Sequence, residues 1–94
     1  MAGLNENQIQ ENLKNTPGWN FSENKINKEF ELADFKSALD FVNKVGTEAE
    51  SLDHHPDILM HSWNKVKISV NTHTEGGVTE KDFTLAGKIE EILK

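Results

Sequence analysis

The sequence predicts an α+β sandwich, two antiparallel hairpins with helices covering one face, in the order α-β-β-α-β-β-α. Three observations carry this. Apolar residues alternate with polar ones over Trp19-Asn20-Phe21, through Ile26, Phe30 and Leu32, and from Val66 to Val70, which is the strand period. One long segment between them repeats its apolar residues every three or four positions, which is the helix period. Helix-start residues stand at Asp34 and at Thr79.

Taken in order, Asn5 to Asn15 holds Ile9 and Leu13 four apart among polar residues, a short amphipathic helix. Thr16-Pro17-Gly18 ends it, because proline cannot continue the hydrogen-bond ladder and glycine permits the turn. The polar stretch Ser22-Glu23-Asn24-Lys25 joins the first two strands as a hairpin. Asp34 can cap the main helix, whose core face is read as Phe35, Ala38, Leu39, Phe41, Val42, Val45, Ala49 and Leu52. Pro56 forces His55 out of helical geometry, so this helix ends by about His54.

An apolar, mixed run from Asp57 to Trp63 precedes a tight turn at Asn64-Lys65 and the strand Val66–Val70. His73 shares its strand phase with Lys67, Ser69 and Asn71, so it is expected to point away from the buried aliphatic row. Glu75-Gly76-Gly77 reads as a loop. Thr79-Glu80-Lys81-Asp82 resembles a capping box that opens a last helix carrying Phe83, Ala86, Ile89 and Leu93.

The 94 residues leave room for one domain, 1–94, and one core, with oligomerisation a natural supplement to thin stability. A net charge of −6, with lysines scattered among acids, disfavours nucleic acid and anionic membrane as partners. No apolar run is long enough to span a bilayer, and Met1-Ala2-Gly3-Leu4-Asn5-Glu6 lacks the pattern of a secretory leader. The absence of cysteine removes disulfides, a thiolate nucleophile and cysteine-bound metal. A soluble, cytoplasmic protein is expected.

The chemistry concentrates in the histidines. His54 and His55 sit between a helix end and Pro56, where the constrained backbone can aim both side chains into a cleft. His73 is a third, whereas His61 reads as surface decoration. Imidazole both donates and accepts protons near neutral pH, so histidines facing across a pocket suit a reaction that protonates one atom and deprotonates another. Glu50, one helical turn before His54, either orients an imidazole or is merely solvated. Asp82 reads first as a helix-start carboxylate, and Trp63 either stacks on a flat ligand or packs half-buried. A metal site is the main rival. It is disfavoured because adjacent residues rarely aim both imidazoles at one ion and no HExxH pattern is present.

The spacing Glu50, His54-His55-Pro56, Trp63, His73, Asp82 resembles the signature of the pterin-4a-carbinolamine dehydratases. Gly18-Trp19, Gly76-Gly77, Thr79, Asp82-Phe83 and Leu85-Ala86 extend the likeness over about the last 80 residues. The resemblance implies a four-stranded antiparallel sheet with three helices on one face. It also implies dehydration of a 4a-hydroxytetrahydropterin to quinonoid dihydropterin without metal or cofactor, and assembly as a homodimer or homotetramer. His54, His55 and His73 become the catalytic candidates. Glu50, Pro56, Trp63, Thr72, Thr74, Glu75 and Asp82 join them as substrate-binding candidates. The chain departs from animal members at Ile58, where they carry tryptophan. A binding module that kept the scaffold without turnover is the alternative of a different class.

Overall fold

The computed structural model describes residues 3–94; Met1 and Ala2, where the reading against a leader begins, lie outside them. The elements are α1 (Glu6–Lys14), β1 (Asn20–Ser22), β2 (Lys25–Glu31), α2 (Phe35–Leu52), β3 (Asp57–His61), β4 (Lys65–Val70) and α3 (Glu80–Ile92), with a 3-10 turn His73–Glu75 before the last helix. The expected α-β-β-α-β-β-α order is what is seen. The four strands form one antiparallel sheet in the order β1-β2-β4-β3. The long α2 carries the chain from β2 to the far edge strand β3, and β4 then returns between them.

Each helix start has a local cause. Asn5 and Gln8 form a reciprocal capping box for α1, and Thr79 with Asp82 does the same for α3. Asp34 caps α2 by accepting from the Ser37 amide, and that hydrogen bond holds its carboxyl below the ordinary carboxylate value.

The core lies between the sheet and the helices. Ile26 faces Val70 and Phe30 faces Val66 across the central strand pair, with Ile68 beside them on β4. Ala38, Phe41, Val45 and Ala49 of α2 and Leu85, Ala86 and Ile89 of α3 close over that row. Burying each large aliphatic side chain contributes about 1.5–3 kcal/mol before the entropy of ordering is charged against it. Glu90 on α3 accepts from the Trp19 indole at 2.9 Å and from Lys28 at 2.7 Å, which ties that helix to the first hairpin. The opposite sheet face, with the row Glu29, Lys67 and Leu59, is exposed.

Three expectations need correction. The apolar stripe of α2 is wider than its buried face: Phe35, Leu39 and Leu52 are exposed, because only the 38-41-45-49 line meets the sheet. Likewise Leu93 lies beyond α3 and is exposed, while Leu85 occupies the core position. The second hairpin turns at Ser62-Trp63-Asn64, one step earlier than Asn64-Lys65, with φ of 50° at Ser62 and 57° at Trp63. Neither residue signals such a left-handed pair in sequence, since asparagine and glycine are its usual occupants. No helix among the described residues is long and apolar enough to cross a membrane.

Candidate active site

Four chain segments converge at one end of the sheet: the C-terminus of α2, the start of β3, the residues after β4 and the first turn of α3. α2 stops at Leu52 because Asp53 takes a left-handed conformation, φ 50° and ψ 45°. The Asp53 amide then donates to the Glu50 carbonyl and the His54 amide to the Ala49 carbonyl at 3.0 Å, a Schellman ending. Pro56 follows the stop rather than causing it. This ending sends His54 back under α2 toward α3.

His54 is nearly enclosed, its side chain 12 % exposed, and its Nε2 lies 2.5 Å from Oδ1 of Asp82. Asp82 is completely buried. Its Oδ2 accepts from the Thr79 amide at 2.8 Å and from the Thr72 hydroxyl at 3.1 Å. The Thr72 proton is thereby used, so in the 2.6 Å contact between the two threonines Thr79 is the donor. A carboxylate can only accept, so every group around Asp82 must donate to it. His54 therefore carries its proton on Nε2, and Nδ1 is the one ring nitrogen left for a ligand.

His55 is more open. Its Nε2 meets Glu50 at 2.6 Å, and with side-chain exposures of 56 % and 78 % this pair is screened by water and worth little to stability. His73 is exposed, and among the described residues its imidazole has no hydrogen-bond partner. It does not end a strand as expected: β4 stops at Val70 and His73 opens the 3-10 turn. That turn is held from both sides. Thr72 and Gly77 bridge as an isolated strand pair, and Asn24 donates to the Gly76 carbonyl at 2.9 Å.

These residues line a cavity of about 390 Å³, within the span of roughly 300–1,000 Å³ common for small-molecule sites. His54, His55 and His73 share its wall with Thr72 and Thr74. Asp53, Asn71 and Lys81 complete it, and sequence reasoning passed over all three. Asn71 was legible, since it shares a strand phase with His73. Lys81 stood inside the capping box, where its neighbour Asp82 took the notice.

The remaining candidates are placed elsewhere. Pro56 and Glu75 are partly exposed beside the cavity segments, outside its lining, and Glu50 reaches the site only through His55. Trp63 sits at the β3–β4 tip, 60 % exposed. β4 separates it from the histidines by on the order of 20 Å at about 3.3 Å per residue. Within one chain it does not join the cluster. Among the described residues no three His, Asp or Glu side chains converge as a metal-binding set.

Comparison with known proteins identifies the family. The family described as Pterin 4 alpha carbinolamine dehydratase matches residues 2–92. A protein of Sulfolobus acidocaldarius, provisionally named a pterin-4-alpha-carbinolamine dehydratase, is 44% identical over 89 residues, covering 95% of this chain and 97% of its own. One of the same provisional name from Roseiflexus castenholzii is 47% identical over 92 residues, covering 98% of each. The crystal structure of a protein described as transcriptional coactivator/pterin dehydratase from Brucella melitensis superposes with a TM-score of 0.91 at 34% identity, over 98% of this chain and 99% of that one. A match across nearly the whole length, in sequence and in fold, establishes that this chain belongs to the pterin 4 alpha carbinolamine dehydratase family.

Proposed function

We propose that the protein is a hydro-lyase that converts a 4a-hydroxytetrahydropterin to the quinonoid dihydropterin and water, by histidine acid–base catalysis. The observation that carries this reading is the convergence of His54, His55 and His73 on one cavity, with His54 held by a buried carboxylate. The reaction breaks the C4a–O bond and the N5–H bond and forms the C4a=N5 double bond. The leaving hydroxyl needs a proton, and N5–H needs an acceptor.

His54 suits the acceptor role. Its free Nδ1 takes the N5 proton, and the Asp82 carboxylate at Nε2 stabilises the imidazolium that forms. His73 protonates the departing hydroxyl, and His55 orients the pterin ring. One proton enters the substrate and one leaves, so neither metal nor cofactor is required. In the cell this chemistry returns an oxidised pterin cofactor to a reducible form, in the cytoplasm. Family membership, and the names carried by relatives of similar length, support the activity. A homo-oligomeric state belongs to the same proposal, supported by the short chain and by the exposed Phe35 and Leu39 one helical turn apart on α2.

The test is to generate 4a-hydroxytetrahydropterin in situ and follow its loss by absorbance with and without the purified protein. Acceleration by the native chain, reduced about 10²–10⁴-fold in His73→Ala, is the expected outcome for loss of one general acid. No acceleration by folded protein across neutral pH would overturn the enzymatic reading and leave a pterin-binding module.

A further inference from the structure

Thr72 stands between the supports of two histidines. It is buried, 4 % exposed. Its hydroxyl donates to Oδ2 of Asp82 at 3.1 Å and accepts from the Thr79 hydroxyl at 2.6 Å, while Oδ1 of the same carboxylate lies 2.5 Å from Nε2 of His54. Its main chain frames the turn that begins at the next residue, His73. The Thr72 amide donates to the Gly77 carbonyl at 2.8 Å, and the Thr72 carbonyl accepts from the Glu75 amide at 3.0 Å. Sequence spacing placed Thr72 among the substrate-binding candidates, yet its hydroxyl is engaged inside the protein as donor and as acceptor.

We infer that Thr72 is a positioning residue that sets the base against the acid: its hydroxyl aims His54 through Asp82, and its main chain carries His73. The inference rests on the dehydratase reading for the roles of the two histidines. N5 and C4a are bonded to each other, so the nitrogen that takes a proton and the nitrogen that gives one must keep a fixed spacing. Two donors meet Oδ2 of Asp82, and they differ in what they hold. The Thr79 amide belongs to the capping box and ties the carboxylate to its own helix. The Thr72 hydroxyl comes from the segment after β4 and ties it to the turn of His73. With the amide alone the carboxylate still turns about its Cβ–Cγ bond. A second donor from another element fixes its plane, and with it the direction in which Oδ1 holds the imidazole. A buried polar network specifies one arrangement when every member is satisfied, and among the described residues no buried side-chain nitrogen or oxygen lacks a partner.

The experiment uses two variants of the full chain. Thr72→Val keeps the shape of the side chain and removes the hydroxyl, whereas Thr72→Ser keeps the hydroxyl and removes the methyl. With the folded circular-dichroism spectrum retained, Thr72→Val should lower kcat about tenfold with KM within about twofold of native, and Thr72→Ser should recover most of the loss. In an Asp82→Asn background Thr72→Val should cost less than about twofold further, because the hydroxyl acts only through that carboxylate. A raised KM with native kcat would make Thr72 a substrate contact and overturn the inference. Equal loss in both variants, or the same loss in both backgrounds, overturns it too. Proton–nitrogen NMR of the isotopically labelled chain reads the same contact without turnover. The His54 proton should sit on Nε2 and exchange with water about three- to tenfold faster in Thr72→Val, the worth of one net hydrogen bond, and recover in Thr72→Ser. That pattern with no turnover by the native chain leaves the positioning role and removes the dehydratase. Turnover by the native chain, with neither kcat nor exchange changed in Thr72→Val, does the reverse.

Discussion

Asp82 shows how much one residue can be asked to do when it is fully buried. It closes the capping box of α3, receives the Thr72 hydroxyl and fixes the tautomer of His54. Replacing it by asparagine separates these tasks. Oδ2 of the carboxylate faces two donors, so the amide oxygen must take that side and the amide NH₂ must face His54. His54 would then accept at Nε2 and carry its proton on Nδ1, the nitrogen from which the proposed mechanism needs a lone pair. Asp82→Asn should therefore lower kcat by about 10²–10⁴-fold, the range for losing a general base, with KM nearly unchanged. Asp82→Ala should instead destabilise the fold by about 3 kcal/mol, because buried donors on three residues lose their acceptor. Steady-state kinetics and urea melts distinguish the two. An Asp82→Asn enzyme of native activity would remove His54 from the chemistry. Sequence spacing identified Asp82 as a helix-start residue, and it is one. Its contact with His54 was not legible, since the two lie 28 positions apart in the chain with a whole hairpin between them.

At the scale of elements, the first hairpin is more than a sheet edge. Its two-residue turn, Glu23-Asn24, has φ of 54° and 62°, the paired left-handed geometry that matches strand twist. From there the Asn24 side chain donates to the Gly76 carbonyl at 2.9 Å, and its own carbonyl accepts from Asn71 at 3.1 Å. The turn thus clamps the segment that presents His73. Asn24→Gly keeps the left-handed backbone at no steric cost and removes the side-chain half of the clamp, the bond to the Gly76 carbonyl. Asn24→Ala removes the same bond and adds left-handed strain of about 1–2 kcal/mol. Both variants should lose dehydratase activity by about tenfold as the His73 turn loosens, since a small misplacement of a catalytic group is costly. Only the alanine variant should also melt markedly earlier. Full activity in the glycine variant would mean that the Thr72–Gly77 bridge and the Asn71 bond to the residue-24 carbonyl suffice to position His73. Hairpin and turn were readable from Ser22 to Lys25, whereas the clamp depends on two loops 52 residues apart in the chain.

For the whole molecule, legibility follows the range of the forces involved. Periodicity and caps are local, so element order and the helix starts at Asn5, Asp34 and Thr79 could be read directly. Which side of α2 meets the sheet depends on tertiary packing, and the reading therefore overcounted its core face by Phe35, Leu39 and Leu52. Those residues bear on assembly. Phe35, Leu39, Leu59 and Trp63 leave large apolar side chains between 44 % and 60 % exposed on a chain of 94 residues, which buries a smaller share of its surface than a larger domain would. Covering them with a second copy would stabilise the folded state by mass action, and the unfolded chain gains nothing from that contact. The melting temperature should therefore rise with protein concentration between about 1 and 100 μM, by several degrees for a chain of this size. Light scattering over the same range should give a mass of at least two chains of 10.6 kDa. A melting temperature independent of concentration together with a single-chain mass would overturn the oligomer. It would leave the active-site proposal intact, because every group assigned to the cavity comes from one chain.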